Sequence, residues 1–229
     1  MKKNVLITGT SRGLGYALAR EFALNGFKVY AIVTSESGRK KMNELDFENI
    51  IPIISDVSDN KVIDDIKKIV KNEKIHLVIN NAGDCQKPEK FIDTDIDGIE
   101  KSFQIHAMGA IRVVKALFEN LDKNASIINM SSRFGSIKKI ASGELDHIQC
   151  SYSYRIAKGS QTMFTQCLAR EFDGTDIKVC SLHPGKLKTE MAAPDADHEP
   201  EEAAARIFEL KDKIQNGKFY SLFEGEFEI

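Results

Sequence analysis

Short apolar runs alternate with longer amphipathic segments along this 229-residue chain. The runs are rich in valine and isoleucine and are apolar at odd and even positions alike, which is typical of strands buried on both faces of a parallel sheet. The predicted strands are Val5–Thr8, Lys28–Val33, Ile50–Ile54, Ile75–Asn80, Ala125–Met130, Ile177–Leu182 and a short seventh, Phe219–Leu222.

The segments between these strands carry apolar residues at helical spacing. Residues 98–121 and 153–172 predict two long helices, and Pro200 suits the first turn of a last helix, where its missing N–H costs nothing. Strands that alternate with helices indicate right-handed βαβ units. We therefore expect one α/β domain over residues 1–229: a doubly wound parallel sheet of about seven strands with helices on both faces. Ligands of such sheets bind beyond the carboxyl ends of the strands.

Composition excludes several other classes of protein. The chain has 32 basic and 34 acidic residues, and its net charge of −2 gives no global attraction for nucleic acid or an anionic membrane. No apolar run in the sequence approaches the roughly 18 residues of a membrane helix. The four cysteines stand far apart without a C-x-x-C pair, which predicts reduced, mostly buried thiols, no metal site and a cytoplasmic location.

A glycine-rich segment joins the first strand to the first helix. It reads Thr8-Gly9-Thr10-Ser11-Arg12-Gly13-Leu14-Gly15. Glycines at such a turn let a pyrophosphate approach the backbone, and free N–H groups at the helix start stabilise its charge. An ordinary strand-to-helix turn would also use glycines, so the position after the first strand is what favours a dinucleotide site.

Further polar clusters follow the later strands in order. They are Asn80-Asn81-Ala82-Gly83, Ser131-Ser132, Tyr154-Arg155-Ile156-Ala157-Lys158 and Pro184-Gly185-Lys186-Leu187-Lys188-Thr189. Together with the glycine segment they resemble the short-chain dehydrogenase/reductase family of NAD(P)-dependent oxidoreductases, over essentially the whole chain. Ser131 to Ile137, Tyr154-Arg155, His183-Pro184-Gly185 and the Phe219–Gly225 ending look most like its C-factor-like bacterial branch. The resemblance implies a Rossmann-type fold and hydride transfer between a nicotinamide and a small-molecule carbonyl or alcohol.

Tyr154 and Lys158 predict acid–base chemistry. Reduction of a carbonyl needs a proton donor, and a free tyrosine titrates near pH 10, too high for efficient proton exchange at neutrality. Lys158 lies one helical turn from Tyr154, so we expect its ammonium, helped by a positively charged oxidised nicotinamide, to lower the pKa of the phenol. Ser132 is expected to hydrogen-bond the substrate oxygen as charge develops. The resemblance implies that Lys158 also holds the nicotinamide ribose.

Two other serines compete with Ser132 for this role. Ser142 is nearer to the spacing from Tyr154 that many family members show, but it falls in a polar loop, whereas Ser132 ends a strand. Ser131 should face the opposite side of the sheet because strand side chains alternate. With Ser132 chosen, residues 133–152 become a loop insertion above the site.

His106 stands where family members usually carry an asparagine that orders a water for proton relay. A histidine can hold a water or move protons. It can equally be a buried core histidine beside Phe103 and Ala110. Both interpretations remain open from the sequence.

The end of the second strand bears on the choice of cofactor. Val33 occupies the place where an acidic residue would bind the adenosine ribose and repel a 2′-phosphate. Arg12 supplies a cation for that phosphate, and Thr34 and Ser35 supply hydroxyls. We therefore expect NADP(H), while a Glu36 side chain that bends inward would favour NAD(H).

The resemblance and the strand ends together give a set of cofactor-binding residues, in which Asp56 and Val57 meet the adenine. The set is Gly9, Thr10, Ser11, Arg12, Gly13, Leu14, Gly15, Thr34, Ser35, Asp56, Val57, Asn81, Ala82, Gly83, Tyr154, Lys158, Pro184, Gly185, Leu187 and Thr189. A short substrate lid is expected at about 186–199. The pocket candidates, each of which could equally serve packing, are Phe134, His147, Gln149, Tyr152 and Met191.

Two rival functions remain beside the reductase. One is a dinucleotide-binding regulatory or signalling protein with little turnover, which His106 in place of asparagine keeps open. The other is a lyase or epimerase that recycles a bound dinucleotide, although such relatives usually carry longer substrate regions. The family resemblance also implies that helices 98–121 and 153–172 pair across a symmetric interface in a homodimer or homotetramer.

Overall fold

The computed structural model describes residues 3–85, 87–190 and 196–229, and the strands of this part form a single sheet. The order across the sheet is β3-β2-β1-β4-β5-β6-β7-β8. The strands are β1 Asn4–Thr8, β2 Lys28–Val33, β3 Ile50–Ile54, β4 Ile75–Asn80, β5 Leu121–Met130, β6 Lys178–His183, β7 Phe219–Ser221 and β8 Gly225–Phe227. The first seven run parallel, and β8 folds back antiparallel on β7, which adds one strand to the number predicted.

The helices cover both faces of this sheet. They are α1 Gly13–Leu24, α2 Glu36–Asn43, α3 Val62–Val70, α4 Ile96–Phe103, α5 Gly109–Leu117, α6 Ile137–Ala141, α7 Tyr152–Glu171 and α8 Pro200–Leu210. Val5 and Ile7 of β1 belong to the apolar layer that includes α1 and α8, while Leu6 faces the layer of α3, α5 and α7. No helix in the described ranges is long and apolar enough to cross a bilayer.

The strand order places a crevice at the carboxyl end of the sheet. β1 pairs with β2 on one side and with β4 on the other, so the connections leaving β1 and β4 diverge to opposite faces. This reversal of direction is where doubly wound sheets bind their ligands.

Two segments, the helix at 98–121 and the insertion 133–152, differ from the sequence predictions. The helix predicted at 98–121 begins at Ile96, contains a π-helical segment at Gln104–Met108, and gives way to β5 at Leu121. Part of the insertion 133–152 is ordered as a 3-10 turn at Arg133–Gly135 and as α6.

The prediction of mostly buried cysteines is wrong. Cys180 of β6 is buried, but Cys150 is only partly buried, and Cys85 and Cys167 are exposed. Cys167 is exposed because it lies off the buried face of α7, next to Leu168.

Candidate functional site

The turn between β1 and α1 has room only for glycine at two positions. A Cβ atom on Gly9, whose φ is +71°, would lie 2.8 Å from Ala82 Cα, and one on Gly15 would lie 2.1 Å from the Gly9 carbonyl oxygen. Arg12, which precedes α1, makes no side-chain hydrogen bond to the helix start. The first N–H groups of α1 are therefore open to an anion.

Thr8 and Asn81 join the ends of β1 and β4 across this turn. Thr8 Oγ1 accepts hydrogen bonds from the backbone N–H groups of Asn81 and Ala82, each at 2.9 Å. The Asn81 amide donates to the Thr8 carbonyl at 2.9 Å. The sequence did not identify Thr8 as a residue of the site, because a threonine at the end of a strand does not by itself indicate a function.

Arg12, the residue predicted to bind the 2′-phosphate, forms an ion pair with a carboxylate. Its Nη1 lies 2.7 Å from Glu190 Oε2, and the side chains are 64% and 71% exposed. Thr189 approaches the same turn, because a Cβ on Gly13 would lie 3.2 Å from Thr189 Cγ2. The segment after β6 thus reaches back to the glycine turn.

The residues after β2 form a helix start. Ser35 Oγ accepts from the Gly38 N–H at 3.2 Å, so Ser35 caps α2, and Thr34 beside it is exposed. Glu36 pairs with Arg39 at 2.6 Å within α2, so its carboxylate does not bend inward to the strand end. Val33 is fully buried, so no carboxylate lies at the strand end itself.

The end of β3 is also held by local contacts. Asp56 Oδ1 accepts from the N–H and the hydroxyl of Ser58, both at 2.8 Å. Val57 is buried, and a Cβ on Gly109 would lie 2.9 Å from its Cγ2. Asp56 is exposed and available to a ligand, whereas Val57 packs on α5.

Ser132 and Tyr154 meet above the carboxyl end of β5. The Ser132 hydroxyl is close enough to the Tyr154 phenol to lower its pKa, and Ser132 is buried. Ser131 Oγ lies 2.9 Å from Thr162 Oγ1, so it contacts the same helix, α7, at a position two turns beyond Tyr154 rather than the opposite face of the sheet that alternation predicts. Ser142 is exposed and donates to the Lys139 carbonyl at 3.1 Å, so it lies outside this arrangement.

Lys158 is buried beneath Tyr154. Its Nζ lies 5.7 Å from the centre of the Tyr154 ring and donates to the Met130 carbonyl and, at 3.1 Å, to Gln161 Oε1. Burial lowers the pKa of Lys158 to about 7, while the charge of Asp84 opposes this change. Sequence reasoning missed Gln161, because a glutamine on a predicted amphipathic helix usually faces water.

The ammonium of Lys158 alone does not lower the pKa of Tyr154. Burial raises the pKa of this phenol above its ordinary value of 10, and the nearby Ser132 hydroxyl partly offsets the rise. Lys158 does not compensate, because its ammonium donates to the Met130 carbonyl and is itself destabilised by burial.

His106 is a buried, neutral histidine at the edge of Tyr154. The two ring centres are 5.5 Å apart with planes at 88°, and His106 Nε2 lies 3.0 Å from both the carbonyl oxygen and the Oδ1 of Asp84. Burial, and then the charge of Lys158, lower the pKa of His106 to about 4. A Cβ on Gly83 would lie 2.4 Å from His106 Cε1, so the ring occupies space that glycine leaves.

The segment after β6 closes the far end of the site. Gly185 has a φ of +92°, and a Cβ there would lie 2.6 Å from Phe223 Cδ2. Leu187 is buried and pairs with His198, whose ring stacks on Phe223 at 3.5 Å. Sequence reasoning missed His198 and Phe223, because they approach the site from the lid end and the β7–β8 turn.

The pocket candidates separate into different environments. Phe134 is buried beside Ser132, His147 and Gln149 are exposed, and the Tyr152 ring contacts that of Phe91 at 5.5 Å. Met191 and most of the central part of the predicted lid lie outside the described residues.

Comparison with known proteins places the chain among dehydrogenases. A family model described as short chain dehydrogenase matches residues 3–200. Retinol dehydrogenase 12 of Mus musculus is 30% identical over 202 residues, or 82% of this chain and 63% of that protein. L-xylulose reductase of Caenorhabditis elegans is 30% identical over 196 residues, or 82% and 73%. The chain spans slightly less than two thirds of the length of the first curated relatives that it matches.

Solved structures share the whole fold. Carbonyl reductase Sniffer of D. melanogaster superposes with a TM-score of 0.87 at 24% identity and covers 100% of both chains. An NADPH-bound carbonyl reductase from chicken fatty liver gives a TM-score of 0.88 at 22% identity, covering 100% of this chain and 99% of the other. The predicted doubly wound α/β fold is confirmed, and the narrower C-factor-like placement stays a prediction.

Proposed function

Because this chain belongs to the short-chain dehydrogenase family, we propose that it is an NADP(H)-dependent oxidoreductase acting on a small-molecule carbonyl or alcohol. The observation that carries this proposal is the meeting of Ser132, Tyr154 and Lys158 beside the crevice at the β1–β4 reversal. A proton donor, a hydrogen-bond donor for the substrate oxygen and a buried cation are what carbonyl reduction requires.

The residues around the crevice fit a dinucleotide. The turn at Gly9 and Gly15 is closed to any larger side chain, and the start of α1 presents unpaired N–H groups. Asn81, Ala82 and Gly83 would line the crevice from β4, and Pro184, Gly185, Leu187 and Thr189 from β6. A bound nicotinamide supplies or accepts the hydride.

The chain's own residues manage the substrate oxygen and its proton. Ser132 donates a hydrogen bond to the oxygen on which charge develops, and Tyr154 gives the proton in reduction and takes it in oxidation. The positive charge of an oxidised nicotinamide, added to that of Lys158, would oppose the rise that burial causes in the Tyr154 pKa. His106 stays neutral and supports the ring of Tyr154 from its edge.

Replacing Tyr154 tests the acid assignment. Tyr154→Phe should reduce turnover at least about 100-fold and leave NADPH affinity nearly unchanged, because it removes only the hydroxyl. Tyr220→Phe, which removes a tyrosine hydroxyl that accepts from the Gln215 N–H before β7, is the matched control. Turnover of Tyr154→Phe at the wild-type rate would overturn the assignment. A wild-type protein that binds NADPH but reduces no carbonyl in a substrate screen would favour the regulatory interpretation.

Arg12 supports the choice of NADP(H). Val33 offers no carboxylate for the ribose, and Arg12 can exchange Glu190 for a 2′-phosphate at modest cost because exposed ion pairs contribute little. Arg12→Ala should weaken NADPH binding about 10-fold or more and NADH binding far less. Arg20→Ala, on the exposed face of α1, is the control. Equal losses for both cofactors would contradict the preference.

We also propose a cytoplasmic homodimer or homotetramer in which two helical stretches, α4 to α5 and α7, pair across a two-fold axis. Ile96, Ile156 and Met163 expose 72%, 44% and 55% of their surface on the adjoining helices α4 and α7. Ile156→Glu should lower the mass measured by light scattering to that of a monomer, whereas Leu24→Glu on α1 should not. An unchanged mass would exclude this interface.

A further inference from the structure

Two arginines pack against the ring of Phe134, and each is next in sequence to a proposed catalytic residue. Arg133 directly follows Ser132, and Arg155 directly follows Tyr154. Their Cζ atoms lie 5.8 Å and 5.3 Å from the centre of the Phe134 ring, which is itself buried. Packing against an aromatic ring restricts a guanidinium and leaves its N–H edge available for hydrogen bonds.

Neither guanidinium has a carboxylate partner within the described ranges of the chain. Arg155 donates to the Ile148 carbonyl at 3.4 Å and contacts the Cys150 thiol, and its buried Nε has no hydrogen-bond partner among these residues. By contrast, Arg39 and Arg206 each form an ion pair with a glutamate on their own helix. Charge left uncompensated in a partly buried place is costly unless an anion is to be bound.

The two charges act on the site itself. Burial raises the pKa of the Cys150 thiol to about 11, and the charges of Arg155 and Arg133 oppose that rise. Cys150 is in turn close enough to Tyr154 to influence its pKa. The carboxylate of Asp84 contacts His106 and Ser102 and keeps its negative charge, because His106 is neutral. Arg133 and Arg155 thus bring two positive charges to the surroundings of Cys150 and Tyr154, where Asp84 brings one negative charge.

We propose that Arg133 and Arg155 bind a carboxylate of the substrate, so that the enzyme reduces oxo acids or oxidises the corresponding hydroxy acids. A planar guanidinium offers two parallel N–H groups that match the two oxygens of a carboxylate. The inference rests on the proposed oxidoreductase function, because it assigns one end of the substrate of that same site. The carbonyl end would meet Ser132 and Tyr154, and the anionic end would meet the two arginines.

A matched pair of aldehydes tests the proposal with NADPH as reductant. 4-Carboxybenzaldehyde and methyl 4-formylbenzoate differ in charge but carry the same reacting group. The wild type should show the higher kcat/KM for the acid. This preference should fall about 10-fold in Arg155→Gln and further in the Arg133→Gln/Arg155→Gln double variant. Arg155→Lys should keep more of the preference than Arg155→Gln. Arg170→Gln, 82% exposed on the same helix, should leave it unchanged.

Binding without turnover separates this inference from the proposed function. Benzoate and benzamide are titrated into the wild type and the variants with NADPH present, and ligand-observed NMR reports their affinities. Tighter binding of benzoate that is lost in Arg155→Gln supports the anion site even if neither aldehyde is reduced. Equal kcat/KM for the two aldehydes in the wild type overturns the substrate class while leaving the reductase intact. An equal fall for both aldehydes in Arg155→Gln, with benzoate affinity unchanged, means that Arg155 only supports the loop.

Discussion

Replacing the buried Lys158 with methionine should flatten the pH dependence of stability. Burial lowers the pKa of Lys158 to about 7 from its ordinary value of 10.5. At about 1.4 kcal/mol per pH unit, a displacement of that size corresponds to about 5 kcal/mol. Near pH 6 the lysine is protonated in both the folded and the unfolded chain, so the folded state bears nearly all of this cost.

The sign follows from the number of bound protons. Between about pH 7 and pH 10.5 the unfolded chain keeps the Lys158 proton and the folded chain releases it, so the free energy of unfolding rises with pH. Near pH 9 about 2 kcal/mol of the cost remains. The wild type should therefore gain about 3 kcal/mol of stability from about pH 6 to pH 9, relative to Lys158→Met.

Urea unfolding of the dinucleotide-free protein at several pH values measures this difference. Subtracting the two curves removes the groups that titrate alike in both proteins. It also separates the loss of the hydrogen bonds to Met130 and Gln161, which shifts the curve without bending it. Lys115→Met, on the exposed face of α5, should give a curve parallel to the wild type. Parallel curves for Lys158→Met as well would show that the ammonium is not destabilised by its surroundings.

Three further substitutions follow from the same contacts. Gly83→Ala places a Cβ 2.4 Å from His106 Cε1 and should lower the free energy of unfolding by about 1–3 kcal/mol. The double variant Gly83→Ala/His106→Ala should recover most of that loss, because the ring that the Cβ meets is gone. Additive effects of the two substitutions would contradict this contact. Gln161→Leu removes a hydrogen-bond acceptor from the Lys158 ammonium, and Gln161→Glu places a negative charge beside it. The pH profiles of carbonyl reduction by the two variants should therefore move in opposite directions. Movement in the same direction would refute the role of Gln161. His106→Asn should keep turnover within about 10-fold of the wild type if the histidine only supports Tyr154, and a larger loss would indicate proton transfer.

The fold could be read from the sequence because its strands are short apolar runs. β1, β2 and β4 are buried on both faces. The polar residues that follow these strands lie together at the carboxyl edge of the sheet because the strands are parallel. β8 and α2 escaped prediction for the opposite reason. β8 reads Gly-Glu-Phe, with only Phe227 buried, and the buried residues of α2 are limited to Gly38 and Met42. Elements that bury so little leave no periodic pattern.

The finer features of the site depend on contacts between distant segments. The π-helical segment that carries His106 lies beside Gly83. The local sequence does not indicate that the His106 ring will fill the space next to this glycine. Whether Lys158 lowers the pKa of Tyr154 depends on the direction in which the Lys158 ammonium points. A one-turn spacing on a helix fixes the shared face and leaves the direction of a long side chain open.

A buried polar chain connects the sheet to Lys158. The Asn80 amide donates to Asn129 at 2.8 Å, Asn129 donates to Thr165 at 2.9 Å, and Thr165 donates to the Gln161 carbonyl at 3.0 Å. Gln161 then receives the ammonium. Such networks rigidify a site where their members are paired. Here the links from Asn129 to Lys158 are paired, while Asn80 Oδ1, at the far end of the polar chain, has no partner among the described residues. The proposed acid–base residues are thus held by the core, whereas the two arginines stand on the insertion and at the start of α7. Changes to the arginines should therefore alter which substrate is accepted before they alter the proton chemistry.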